Sequence, residues 1–105
     1  MLYLDLELHA VDEARNTRRA YRVRVTRDLF GLVVVEFRWG RVGTVGTRLC
    51  MSAPTVEAAQ ALVRQRLRRR TSAPRRIGVG YALVRAVTDG GPATAWLPSI
   101  APLAA

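Results

Sequence analysis

Four leucines open the chain in alternation. Leu2, Leu4, Leu6 and Leu8 fall on one side, and Tyr3, Asp5, Glu7 and His9 on the other. A period of two residues predicts a half-buried β-strand over 2–9. The stretch 11–19 (VDEARNTRR) is polar and mostly charged, which predicts a surface loop. Alternation resumes over 20–27, with Tyr21, Val23 and Val25 set against Arg22 and Arg24 and with Arg27 nearby. After a short turn over 28–31, residues 32–39 form the most apolar run and read as a central strand. Val33, Val35, Phe37 and Trp39 share one parity there. A fourth strand is expected over 45–52, and the short links suggest an antiparallel meander.

The period then changes. Thr55, behind Pro54, is a candidate N-cap, and Glu57 suits a first helical turn. Ala59, Leu62, Val63, Arg66 and Leu67 recur at helical spacing and predict one amphipathic helix able to cover a sheet face. The run 71–74 (TSAP) ends it. Arg75, Arg76 and Gly78 lead into a last strand over 79–87. The order ββββαβ predicts an α+β domain over 1–87, an antiparallel sheet of about five strands with the helix packed on one face. Residues 88–105 are rich in Pro, Gly and Ala and read as a tail that either packs locally through Trp96 or stays loose.

A length of 105 residues suits one domain, and a hydrophobic share of 50% argues against disorder. No apolar run reaches the roughly 18 residues of a membrane-spanning helix. No basic stretch precedes the first apolar residues, so no secretion signal is expected. Cys50 is the sole cysteine, which fits a reducing, cytoplasmic setting.

Charge changes the picture most. Seventeen basic residues against eight acidic ones give +9, and every basic residue is arginine. Each cation is therefore a planar fork suited to bidentate contact with phosphate. Residues 1–13 hold four acids and no base, whereas 64–76 hold seven arginines and no acid. Such polarity suggests a polyanion, DNA or alternatively RNA, with a solubilising surface or arginines suited to a helix C-terminus as the alternative.

Catalysis finds little support. His9 is the lone histidine and reads as a solvated or structural strand residue, and one Cys with one His makes no zinc site. Asp5 and Glu7 read as acids of a solvent face rather than an acid–base pair. No cofactor motif is present. Gly40, Gly43 and Gly46 are spaced as GxxGxxG, which is neither the dinucleotide fingerprint nor a P-loop, since no helix follows directly and lysine is absent. They read as a strand connection with special backbone angles. Trp39 admits two readings. It caps the core, by its parity with Phe37, or it forms a stacking platform at a strand end, where each stacked base contributes about 1–3 kcal/mol. Beside it, Arg41 becomes a candidate phosphate contact.

At these residues the sequence resembles the WGR domain family, named for the run seen here as Trp39-Gly40-Arg41. The stretches 16–23 (NTRRAYRV), 37–46 (FRWGRVGTVG), 55–59 (TVEAA) and Gly80-Tyr81 all resemble family segments, so the likeness covers about 2–87. Ala20 departs from it, standing where an aromatic is usual. The resemblance implies a compact antiparallel sheet with a helix on it and a nucleic-acid-binding role. In DNA-dependent poly(ADP-ribose) polymerases such a domain binds at DNA breaks. The implied stacking and contact residues are Trp39 and Arg41, with Asn16 facing the DNA and Arg48 as a basic residue after the signature. Arg75 and Arg76 are weaker candidates. This sequence holds no ADP-ribosyl transferase domain, so only the binding half of that role carries over, as in small bacterial members.

The expectation is a non-enzymatic nucleic-acid-binding module that engages DNA ends or breaks with little sequence preference. Arg18, Arg19, Arg22, Arg24, Arg48 and the arginines of 64–76 would supply the electrostatic term. The alternative is a protein-interaction module that uses the same Trp and Arg surface to anchor an acidic or catalytic partner.

Overall fold

The computed structural model describes residues 1–70 and 79–98. Five strands and one helix form in the expected order: β1 (Leu2–Asp12), β2 (Thr17–Arg27), β3 (Val33–Arg41), β4 (Thr47–Ala53), α1 (Val56–Arg70) and β5 (Ala82–Thr88). All neighbours pair antiparallel, in the order β4-β3-β2-β1-β5. The first four strands are thus a meander. The chain then crosses from one sheet edge to the other, and β5 closes on β1.

Register turns the sequence alternation into core rows. Leu4, Val25, Val35 and Met51 stand side by side, as do Leu6, Val23, Phe37 and Leu49. The next row is Leu8, Tyr21, Trp39 and Thr47. Ala59, Val63 and Leu67 of α1 are buried in the same core. Each fully buried leucine of β1 stabilises the fold by roughly 1.5–3 kcal/mol. The helix begins as the sequence implies: the Ala58 N–H donates to Thr55 Oγ1 at 3.1 Å.

The opposite face carries charge instead of apolar bulk. Asp5 is only 8% exposed. Its carboxylate accepts from Arg22 at 3.2 Å and from Arg85 at 3.0 Å. The hydrogen bond to Asp5 pushes the Arg22 pKa further up, against a smaller opposing effect of burial. Glu36 accepts from Arg48 Nε at 2.7 Å.

One region differs in detail from the sequence reading. The polar stretch 11–19 is mostly strand, because Val11↔Arg18 and Asp12↔Thr17 continue the pairing of β1 and β2. Only a 3-10 turn, Glu13–Arg15, and Asn16 connect them. This hairpin end is polar because its residues are largely exposed, while its backbone groups still pair. After β5 the chain folds back through a second 3-10 turn, Ala93–Ala95, and Trp96 is buried to 3% exposure. Arg64 Nη1 of α1 donates to the Ala95 carbonyl at 2.6 Å, tying this segment to the helix.

Candidate nucleic-acid interface

The 3-10 turn before β2, the start of β2, the end of β3 and the loop after it meet at one end of the sheet. Asn16 ends the 3-10 turn with φ 52°. Asn tolerates this left-handed conformation because its short polar side chain bonds locally. From there it presents two acceptors to Arg41, the last residue of β3. Arg41 Nη2 donates to Asn16 Oδ1 at 3.0 Å and Nη1 to the Asn16 carbonyl at 3.3 Å. A guanidinium has five N–H donors, so Arg41 is oriented by these bonds and retains donors for a ligand.

The loop is fixed from both sides. The Val42 N–H donates to the Arg18 carbonyl at 2.8 Å, tying the loop to β2. Both Thr44 N–H and Thr44 Oγ1 donate to the Arg41 carbonyl, at 3.1 and 2.7 Å. Gly46 has φ 68°, and a Cβ placed on it would lie 2.2 Å from the Trp39 carbonyl oxygen. A Cβ on Gly40 would lie 2.9 Å from the Gly46 Cα. The two glycines therefore allow backbone to touch backbone directly behind Trp39 and Arg41.

Trp39 is half-buried and packs against the core on the helix side. Its ring lies 6.2 Å from that of Tyr21 at an interplanar angle of 26°. The Arg70 guanidinium, at the end of α1, lies 4.1 Å from the Tyr21 ring centre and 6.0 Å from that of Trp39. Burial raises the Tyr21 pKa above 10.0, while Arg70 opposes the shift. The helix C-terminus thus brings its cation to the strand end that carries the signature.

A groove of about 360 Å³ runs between Asn16, Thr17, Arg18, Arg19, Gly40 and Arg41. Arg18 has a 3.5 Å contact with exposed Glu13. Arg19 is exposed, with no ion-pair partner among the described residues. The structure therefore gathers five of the sequence candidates, Asn16, Arg18, Arg19, Gly40 and Arg41, with Trp39 adjoining in the chain. Arg48 is set apart, since it pairs across from Arg38 on the face opposite Trp39 and bonds to Glu36. Arg75 and Arg76 lie outside the described residues. The sequence does not single out Thr44, which pins the loop, or Arg70, whose place over Tyr21 needs the helix laid on the sheet. Their only sequence signals are a Thr three residues after Arg41 and a triple arginine ending a helical pattern.

Among the described residues, no group of three or more His, Cys, Asp and Glu lies together as a metal site requires. No helix among them is long and apolar enough to cross a membrane.

Fold and site together define a small α+β binding module. The WGR domain model matches residues 4–74, more than half of the chain, and the chain belongs to that family. A WGR domain is a binding module and not catalytic by itself, and membership is consistent with nucleic-acid binding. No curated protein matches the chain.

Proposed function

We propose that this protein binds DNA ends or breaks with little sequence preference, without itself being an enzyme. The observation that carries the reading is Arg41, oriented by both oxygens of Asn16 at the lip of an arginine-lined groove next to Trp39. Arg18, Arg19 and Arg41 take successive phosphates. The open part of the Trp39 ring stacks on the terminal nucleotide, where an end exposes a π-face that an intact duplex hides. Arg48 adds to the overall field rather than to the groove, and Arg75 and Arg76 contribute to the net charge of +9. Sequence readout is weak because α1 covers the sheet and offers no recognition helix to a major groove. The setting is the cytoplasm of a bacterial cell, on its DNA.

Arg41→Gln tests this at an exposed position whose loss leaves the core intact. A charge-assisted contact contributes about 1.5–3 kcal/mol. Affinity for an open-ended duplex should therefore fall about tenfold or more, with thermal unfolding unchanged. Trp39→Ala should weaken end binding too, but with some loss of stability because the ring is half-buried. End binding unchanged in Arg41→Gln would sink the assignment.

A further inference from the structure

The face of the sheet away from the helix has a gap beside the signature loop. His9, Ala20 and Gly40 stand in one cross-strand row. Ala20 offers only a methyl group and Gly40 only backbone, so the middle of the row is a flat floor. The adjacent row, Glu7, Arg22 and Arg38, forms one wall. The loop over 42–45 forms another, and together they enclose a cleft of about 190 Å³. It shares only Gly40 and Arg41 with the arginine groove.

The chemistry of this cleft is mixed. Glu7 Oε2 contacts His9 Nε2 at 2.6 Å, and Glu7 Oε1 has Arg85 Nη2 at 3.7 Å, beyond hydrogen-bond reach, so Oε1 keeps lone pairs with which to accept. Among the described residues, the Arg38 guanidinium meets the Glu36 carboxylate only at 3.7 Å, beyond hydrogen-bond reach, and its Nε is buried without a partner. A simple anion is disfavoured by Glu7, and an apolar ligand by the charged wall. A flat ring with donors and acceptors on its edge suits both the floor and the wall. Arginine pairs with guanine O6 and N7, and a carboxylate accepts from base N–H groups. The volume lies below the roughly 300 Å³ of a pocket for a drug-sized ligand, so the fit is to one ring system.

We infer that this cleft takes the base of an unpaired overhang nucleotide, guanine best, swung past the terminal pair that Trp39 stacks on, while the arginine groove holds the backbone. The inference rests on the proposed function. Displacing a base is least costly where it is already unpaired, as in a one-nucleotide overhang.

The test combines free nucleotide and DNA. Guanosine 5′-monophosphate, titrated into isotopically labelled protein, should shift the amides of Thr44 and Val45, which line only the cleft, and ribose 5-phosphate should not. Ala20→Phe, which fills the floor at a half-exposed strand position, should abolish those shifts. It should also weaken binding to a duplex with a one-guanine overhang about tenfold, yet leave binding to the same overhang with an abasic nucleotide unchanged. Glu7→Gln, which leaves the floor intact, should reduce the guanine preference without abolishing end binding. Equal weakening of guanine and abasic ends, or equal shifts from ribose 5-phosphate, overturns the inference while leaving end binding intact. Shifts from the nucleotide alone, with no effect of the overhang base, make this a free-nucleotide site and overturn the terminal-base assignment. A protein that binds no DNA end overturns the proposed function directly, whatever the nucleotide does.

Discussion

Gly46→Ala should be among the most damaging single-methyl changes at the site, and the reason lies in two separable effects. The first is conformational. At φ 68° an L-residue costs about 1–2 kcal/mol relative to glycine. The second is steric: the added Cβ would sit 2.2 Å from the Trp39 carbonyl oxygen and 2.9 Å from its carbonyl carbon. Those are backbone atoms within the β2–β3 ladder, so no side chain can swing away. Forcing extra volume into a packed region costs typically about 1–3 kcal/mol. The sum is about 2–5 kcal/mol. Gly43→Ala is the internal control. Gly43 has φ 84°, and a Cβ added there would meet nothing within 4 Å, so this change incurs the conformational cost alone. For a domain near 100 residues, 1 kcal/mol moves Tm by about 4–8 °C. Thermal and urea unfolding followed by circular dichroism should place Gly46→Ala clearly below Gly43→Ala, and Gly43→Ala below the parent. If Gly46→Ala unfolds together with Gly43→Ala, the close approach behind Trp39 is not what fixes the loop, and the account of the site is wrong.

Asp5→Asn leaves Arg22 and Arg85 without their shared carboxylate; because both guanidiniums are more than a third exposed, solvent screening trims the expected loss to about 1–2 kcal/mol. The urea midpoint reads it, and an unchanged midpoint would show that the bridge contributes nothing net. Tyr21 gives a pH prediction. Its folded pKa is raised above 10.0 by burial, so its contribution is fully present below pH 10, and stability is lost as pH rises further and the unfolded phenol ionises first. A phenolate absorbance titration should show a late-ionising tyrosine that Tyr21→Phe removes; a titration unaltered at its alkaline end by that change would contradict it.

The fold was legible because period-two and helical alternation both survive into the structure. Leu4, Leu6 and Leu8 line the core, and Ala59, Val63 and Leu67 cover it, as their spacing implies. Strand lengths were less legible. Polar hairpin ends such as 17–19 pair by backbone alone, which leaves no hydrophobic signature. At the site, the signature run pointed to Trp39, Gly40 and Arg41, and the resemblance pointed to Asn16. What sequence does not carry is face and reach. Arg48 follows the signature closely yet lies on the other face, whereas Arg70 is 31 positions from Trp39 yet lies over its neighbour Tyr21. Trp39 itself admits both core and contact readings because it is half-buried, packed against the core yet still part-exposed.

The proposed function stands or falls on preference for ends. One linear duplex and the same sequence as a closed circle, titrated in competition at two salt concentrations, test it most directly. Contact with about five phosphates predicts that log K falls with log salt with a slope of about −4 to −5 for both forms. Because stacking at the terminus is far less salt-sensitive, the account predicts that the linear form binds more tightly and that its advantage persists as salt rises. Equal affinity for linear and closed DNA, or an affinity indifferent to salt, would contradict it.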